Sequence, residues 1–438
     1  MSAVEPRPPA PVRRPVYLVD GARTPFLKAR NAPGPFTPVD LAVQCGRPLL
    51  LRQPFAADAF DMVILGSVNV VADEVNPARV AALRLGMGEA MTAFTQQINC
   101  GSGMQSIDTA FRHIEAGDAE LILAGGAEAL SHAPLVFGRE AVGWFGRLLT
   151  ARSLWQRLAA LAGLRPRFFK PVIGLERGLT DPIVELNMGQ TAEVLAHLFA
   201  ISREGADAYA VESHRRLARA QAEGWLDDEV VPLVDADGAL YPRDDGVRPD
   251  SAVEKLAALR PVFERPYGKV TAGNSSQITD GASWVILASE PALERHGLRP
   301  RARIVDSAWS ALDPSVMGLG PVLAVTEILK RQNLGRDDID LWELNEAFAA
   351  QVLACLAAWC DPHFCAEILG LDEPLGEIDR DRLNVDGGAI ALGHPVGASG
   401  NRITLHLANA MRRLGKRRGI ATQCIGGGQG GAVLLEAT

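Results

Sequence analysis

Two cysteines and one histidine sit in settings that suit chemistry better than packing. In Gln97-Ile98-Asn99-Cys100-Gly101-Ser102-Gly103-Met104 a thiol stands where an apolar, extended run gives way to glycines and a helix-spaced stretch. The unpaired N–H groups and positive dipole end of a helix start favour thiolate over thiol. Gly101 and Gly103 remove bulk, so a carbonyl can approach the sulfur closely. Cys100 therefore reads as a nucleophile; the plainer alternative is a small buried hydrophobe at a strand end. A nucleophilic thiol needs a base, and His394 lies between Gly393 and Pro395 in a glycine-dense loop ahead of another helix-spaced stretch. Its imidazole can take the Cys100 proton and then hydrogen-bond a developing oxyanion. His113 and His406 fall within helix-spaced stretches and read as structural.

The second sulfur is Cys424, at the end of a strand-like run and ahead of Ile425-Gly426-Gly427-Gly428. A glycine turn of that kind can aim backbone N–H groups at a ligand, and it brings a second weak acid to the same type of site. A redox pair is the alternative, disfavoured by the absence of C-x-x-C. Asn345-Glu346 follows another strand-like run: an amide there can hold a water, and a carboxylate beside it can orient His394. Equally, Asn345 can be a helix N-cap with Glu346 in the first turn.

These groups need a frame. The chain has 438 residues, 47% hydrophobic and 22% charged, with a formal net charge of −8, which suits a globular protein with several cores and argues against a nucleic-acid binder. Six scattered cysteines do not make a disulfide scaffold and point to a reducing, cytoplasmic setting. Cys355, Cys360 and Cys365 recur every five residues, a spacing that a helix spreads around its circumference, so no metal site is expected. The Pro-rich residues 1–14 lack an apolar core and read as a disordered lead-in. No apolar run is long enough to span a bilayer.

Short apolar runs such as Met62–Gly66 and Leu121–Gly125 alternate with helix-spaced stretches, which predicts an α/β fold with buried strands. Met104, Ile107, Phe111 and Ile114 form one apolar stripe; Ile403, Leu407, Met411 and Leu414 form another after Gly397-Ala398-Ser399-Gly400. Each is followed by a glycine break, a strand-like run and a glycine turn. Two copies of one plan predict an internal duplication.

Taken together, Asn99-Cys100-Gly101-Ser102-Gly103, Asn345-Glu346-Ala347-Phe348, Gly393-His394-Pro395 and Cys424-Ile425-Gly426 resemble, in order, the four signature motifs of the thiolase family. The resemblance runs from about Val16 to Glu436 and takes in Gly125-Gly126-Ala127-Glu128, Met188–Glu193 and Thr271–Ser276. It implies two duplicated βαβαβαββ halves, each with a five-stranded sheet, in a five-layered α-β-α-β-α core with an inserted loop domain. The expected domains are 15–136 plus 262–298, a loop domain over 137–261, and 299–438. It further implies thiolysis of 3-ketoacyl-CoA, and the reverse condensation of two acetyl-CoA, through an acyl-Cys100 intermediate. His394 would activate Cys100, and Cys424 would move the proton at C2. The backbone N–H groups of Cys100 and Gly426 would form one oxyanion hole, and His394 with a water on Asn345 the other. Met188, Ser276, Ala272 and Phe348 match positions that meet the acyl-CoA. Coenzyme A enters as substrate and no resident cofactor is implied.

From Arg139 to Lys170 seven basic residues and many aromatic and aliphatic ones accompany one acid, Glu140. That segment suits anionic lipid head groups, a partner subunit or CoA phosphates, or is an ordinary helical cover with solvated arginines. It resembles the β-subunits of trifunctional fatty-acid oxidation complexes, although those often carry histidine where this chain has Asn345. The implied partners are a homodimer or homotetramer, a hydratase/dehydrogenase α-subunit and a peripheral membrane contact. Ketosynthases and hydroxymethylglutaryl-CoA synthases also place a cysteine on a duplicated α/β fold, but ketosynthases pair it with two histidines.

Overall fold

The computed structural model describes residues 14–438 except Asn31 and Val70; apart from Arg14, the expected Pro-rich lead-in lies outside the described residues. The first half runs β1 (Val16–Arg23), α1 (Pro38–Leu51), β2 (Met62–Gly66), α2 (Pro77–Arg84), β3 (Thr92–Gln96), α3 (Ser102–Ala116) and β4 (Leu121–Ala129). An excursion follows, carrying α4 (Arg139–Thr150), α5 (Leu154–Ala162), α6 (Met188–Leu198) and α7 (Arg203–Ala222), before the chain returns as β5 (Thr279–Ser289). The second half is β6 (Ala302–Ala311), α8 (Gly320–Gln332), β7 (Leu341–Leu344), α9 (Ala349–Cys360), α10 (Val396–Leu414), β8 (Arg418–Ile425) and β9 (Gln429–Glu436). Both β4 and β5 are buried along their whole length, as expected of strands covered on both faces.

The strand order is β7-β8-β9-β6-β1-β5-β4-β2-β3. Within it the duplication is explicit. β2 lies parallel to β3 and β4, and β5 lies antiparallel to β4 and β1; likewise β7 is parallel to β8, and β9 is antiparallel to β8 and β6. Two details differ from five strands per half in separate sheets. The sheets are joined edge to edge by β1 and β6, pairing Val16 with Ile304 and Leu18 with Ala302. The fifth strand of the second half shrinks to one bridge between Trp342 and Leu383. The run Arg380–Arg382, capped by Asp379, turns as a short 3-10 helix, and Asn384 adopts a left-handed φ of 47°, which stops an extended strand from propagating.

Helices α3 and α10 form the middle layer. Met104, Ile107, Phe111 and Ile114 share one core with Ile403, Leu407 and Met411 and with residues of both sheets. Each such burial contributes about 1.5–3 kcal/mol. Leu414 is the exception to its stripe, 44% exposed at the helix end. α1 and α2 cover the outer face of the first sheet, and α8 and α9 that of the second, giving α-β-α-β-α. Because α10 is sandwiched, it is buried on every side through Met411, so its polar residues need internal partners. Asn401 accepts from Ser283 and donates to the Ala124 carbonyl. His406 pairs with Glu229 and Asp386; those carboxylates raise the imidazole to about 10 against the opposing effect of burial, the largest single influence. His406 is structural, as its helical setting predicts.

Candidate active site

The turn before α3 is held tightly. Asn99 takes a left-handed φ of 46°, and its Nδ2 donates to the Gly426 carbonyl at 2.8 Å. Ser102 Oγ accepts from the Ile98 amide at 2.9 Å and donates to the Asn99 carbonyl at 2.7 Å. These ties present Cys100 just ahead of the helix and dock its turn against the glycine turn after β8. The two glycines serve that docking. A Cβ on Gly101 would lie 2.5 Å from Ile425 Cδ1, and one on Gly103 would lie 2.6 Å from the Gly397 carbonyl. Their smallness is required by the second half of the chain, a demand separate from the expected approach of a carbonyl.

A cavity of about 390 Å³ opens on Cys100, His394 and Cys424 together. Cys424, one residue before the end of β8, is buried, and the amides of Gly426 and of Cys100 itself point at the Cys100 sulfur. Burial pushes the Cys100 thiol up, the two amides pull it partly back, and the Glu128 carboxylate adds to the rise. So the resting sulfur is a thiol, contrary to the thiolate expected of a helix start: desolvation outweighs the dipole. Cys424 is raised well above its usual range, by burial and then by the neighbouring Cys100. A protonated nucleophile cannot react without a base.

His394 is buried, its amide donating to the Gln277 carbonyl at 2.9 Å. Its Nδ1 meets Ser399 Oγ at 2.6 Å, and that hydroxyl donates to the Pro395 carbonyl at 3.1 Å. With the serine proton so committed, Nδ1 carries the ring hydrogen and Nε2 offers a lone pair. Nε2 is buried and has no protein partner. Burial, then the Arg402 charge, lowers the imidazole to about 4, so at neutral pH it is an uncharged base. Followed by NMR in histidine-labelled protein, with His394→Asn to assign the signal, the ring will titrate near pH 4; a midpoint near 6.5 would contradict the site as described. Below 6.5 the unfolded chain binds a proton that the native ring refuses, so this group lowers stability as pH falls from 6.5 towards 4.

Asn345 is 1% exposed, and both ends of its side-chain amide lack a partner among the described residues. It is not an N-cap. α9 starts four residues later, capped by Phe348 without a side-chain bond. Two orphaned, buried amide atoms fit a site that takes up a water or a ligand oxygen. Glu346 does not reach His394. Its carboxylate accepts from Tyr209 and Asn384 on one oxygen, and from Ser213 and the Ile390 amide on the other. It anchors α7 and the loop leading to His394, while Ser399, one turn into α10, orients the ring. Ser399 was missed as a site residue, though it stands five positions after His394 in the same motif.

The remaining expected residues line the same cavity: Met188, Ala272, Ser276 and Phe348. Backbone bonds from Ser276 to Ala347 and from Ala349 to Asn274 zip two of these segments together. Asn187 caps α6 through a reciprocal bond with Gln190, which fixes Met188 at the cavity wall. A second chamber of about 540 Å³, walled partly by Val68, Asn69, Asn99 and Gly426, also reaches Cys100. The thiol thus faces two spaces.

Residues 16–291 match the family model described as "Thiolase, N-terminal domain" and residues 298–437 that described as "Thiolase, C-terminal domain". The chain is 40% identical over 428 residues to a β-ketoadipyl-CoA thiolase of Pseudomonas aeruginosa, covering 97% of this chain and 99% of that one. It is 36% identical over 425 residues to the mitochondrial trifunctional enzyme subunit beta of Bos taurus, covering 97% and 88%. Among solved structures, human mitochondrial 3-ketoacyl-CoA thiolase in complex with CoA superposes with a TM-score of 0.82 at 37% identity, covering 98% and 99%.

Proposed function

The chain belongs to the thiolase family, and from that premise we propose that it cleaves 3-ketoacyl-CoA with CoA to acetyl-CoA and a shortened acyl-CoA, and runs the reverse condensation of two acetyl-CoA. One observation carries the reading: two thiols and an uncharged imidazole whose Nε2 has no protein partner meet at one cavity, with two amides aimed at one sulfur. His394 Nε2 takes the Cys100 proton, and the sulfur attacks the keto carbon. The C2–C3 bond breaks, its electron pair passes into the thioester enolate, and Cys424 gives C2 its proton. Incoming CoA returns a proton to Cys424, its sulfur displaces Cys100 from the acyl group, and His394 re-protonates Cys100. Every proton is back in place, so the cycle calls for no resident metal or cofactor. The test is CoA-dependent conversion of acetoacetyl-CoA to acetyl-CoA by the purified chain; no conversion would overturn the reading.

A place in fatty-acid β-oxidation, assembly as a dimer or tetramer, and the domains 15–136 with 262–298, 137–261 and 299–438 belong to the same proposal. So does the cytoplasm, supported by six cysteines that are all free; among the described residues no helix is long and apolar enough to cross a membrane. Helix α4 packs with Phe168 on a small core of its own around Trp144, whose Nε1 donates to the Ala160 carbonyl of α5, yet the two helices leave Leu149 83% and Trp155 81% exposed. The surrounding bases, with one ion pair from Glu140 to Arg167, favour an anionic membrane surface over solvent. Leu149→Ser with Trp155→Ser will weaken retention on anionic phospholipid vesicles by about tenfold or more. Unchanged retention would assign the helices to a hydratase/dehydrogenase partner or to solvent.

A further inference from the structure

Glu128, one residue before the end of β4, is fully buried and has no ion-pair partner among the described residues. Its charge is met by backbone amides instead. Oε2 accepts from Val68 at 3.0 Å and from Gly397 at 3.1 Å, and Oε1 accepts from Asn69 at 3.0 Å. Val68 and Asn69 follow β2 and wall the second chamber at Cys100; Asn69 Nδ2 also donates to the Ala129 carbonyl at 3.1 Å. Gly397 lies in the first turn of α10, three residues past His394. There is no slack at this junction: a Cβ on Gly397 would lie 2.9 Å from Glu128 Oε2, and one on Gly126 would lie 2.0 Å from the Gly397 carbonyl.

We propose that Glu128 is a positioning residue: its carboxylate clamps the Val68–Asn69 turn to the first turn of α10 and so holds the His394 loop and the wall of the second chamber in register with Cys100. The inference rests on the thiolase reading of the site. Three donors on two oxygens suit a carboxylate. A carboxylic acid must put its own hydrogen on one oxygen, where it faces an N–H and breaks one tie. The clamp is therefore sensitive to protonation. The titratable groups that act on Glu128 from the elements around it are Asp280 on β5 and the Cys100 thiol ahead of α3; α10 and the turn after β2 offer it amides. Burial raises the carboxyl to about 7 against the pull of the three amides, and Asp280 adds to the rise.

In steady-state thiolysis, wild-type kcat will therefore fall on the acid side with a midpoint near 7, where His394 is already neutral. Glu128→Gln keeps the shape but turns one oxygen into a donor. Its kcat at pH 8 will drop about tenfold or more, KM for CoA will stay within about threefold, and the acid limb near 7 will disappear. A purely structural role would lower the yield of folded enzyme and leave the profile of the remainder intact. Wild-type kcat and an unchanged limb in the variant would overturn the clamp, whereas a wild type inactive in the same assay would overturn the thiolase reading. Should the variant not fold, hydrogen exchange in the wild type decides: protection of the Val68, Asn69 and Gly397 amides will fall together as pH drops through 7, and pH-independent protection would overturn the proposal.

Discussion

Cys100→Ala will lower thiolysis of acetoacetyl-CoA by about ten-thousand-fold or more while leaving the protein folded. The loss is that large because no other group in the cavity can replace the sulfur. Cys424 is held protonated by burial, and the Gly426 and Cys100 amides are aimed at the Cys100 sulfur. Stability is spared for a local reason. The turn is held by Asn99 and Ser102, and alanine keeps the Cβ while removing one half-buried sulfur. Turnover and thermal unfolding measured on the same sample check both halves. Activity within about tenfold of wild type would place the nucleophile elsewhere.

Cys424→Ser divides the reaction rather than abolishing it. The thiol is already raised by burial, and a hydroxyl is a far weaker acid, so proton transfer at C2 suffers most. Exchange of the acetyl-CoA methyl protons with solvent deuterium will slow by about a hundredfold or more, whereas acetylation of Cys100 by acetyl-CoA will slow by less than about tenfold. The asymmetry follows from the leaving groups. A CoA thiolate can depart without a proton, and an enolate carbon cannot become acetyl-CoA without one. Equal slowing of both steps would remove Cys424 from its role.

Much of this was legible in the residues, for definite reasons. The stripe Met104-Ile107-Phe111-Ile114 is a one-sided signal, and α3 buries that side. The strands read as continuous apolar runs because helices cover both faces of their sheets. What escaped depends on partners distant in the chain. α10 looks amphipathic, yet its polar side is buried too, because Asn401 and His406 find Ser283, Glu229 and Asp386 across the fold. Nothing local reports that Gly101 and Gly103 are small for the sake of Ile425 and Gly397. Glu346 stands beside Asn345 in sequence, but the chain direction there turns its carboxylate to Tyr209, Ser213 and Asn384. Glu128 was visible as a residue of a recognised stretch and silent about its task, since backbone amides leave no trace in side-chain identity.

The central claim is a covalent one: the acyl group passes through the sulfur of Cys100. Acid quenching of the enzyme with labelled acetyl-CoA, followed by peptide mass spectrometry, tests it directly. One acetyl group on the peptide carrying Cys100, discharged by free CoA and missing in Cys100→Ala, is the predicted result. An acetyl group on Cys424 or on any other residue, or turnover with no labelled peptide at all, would contradict it.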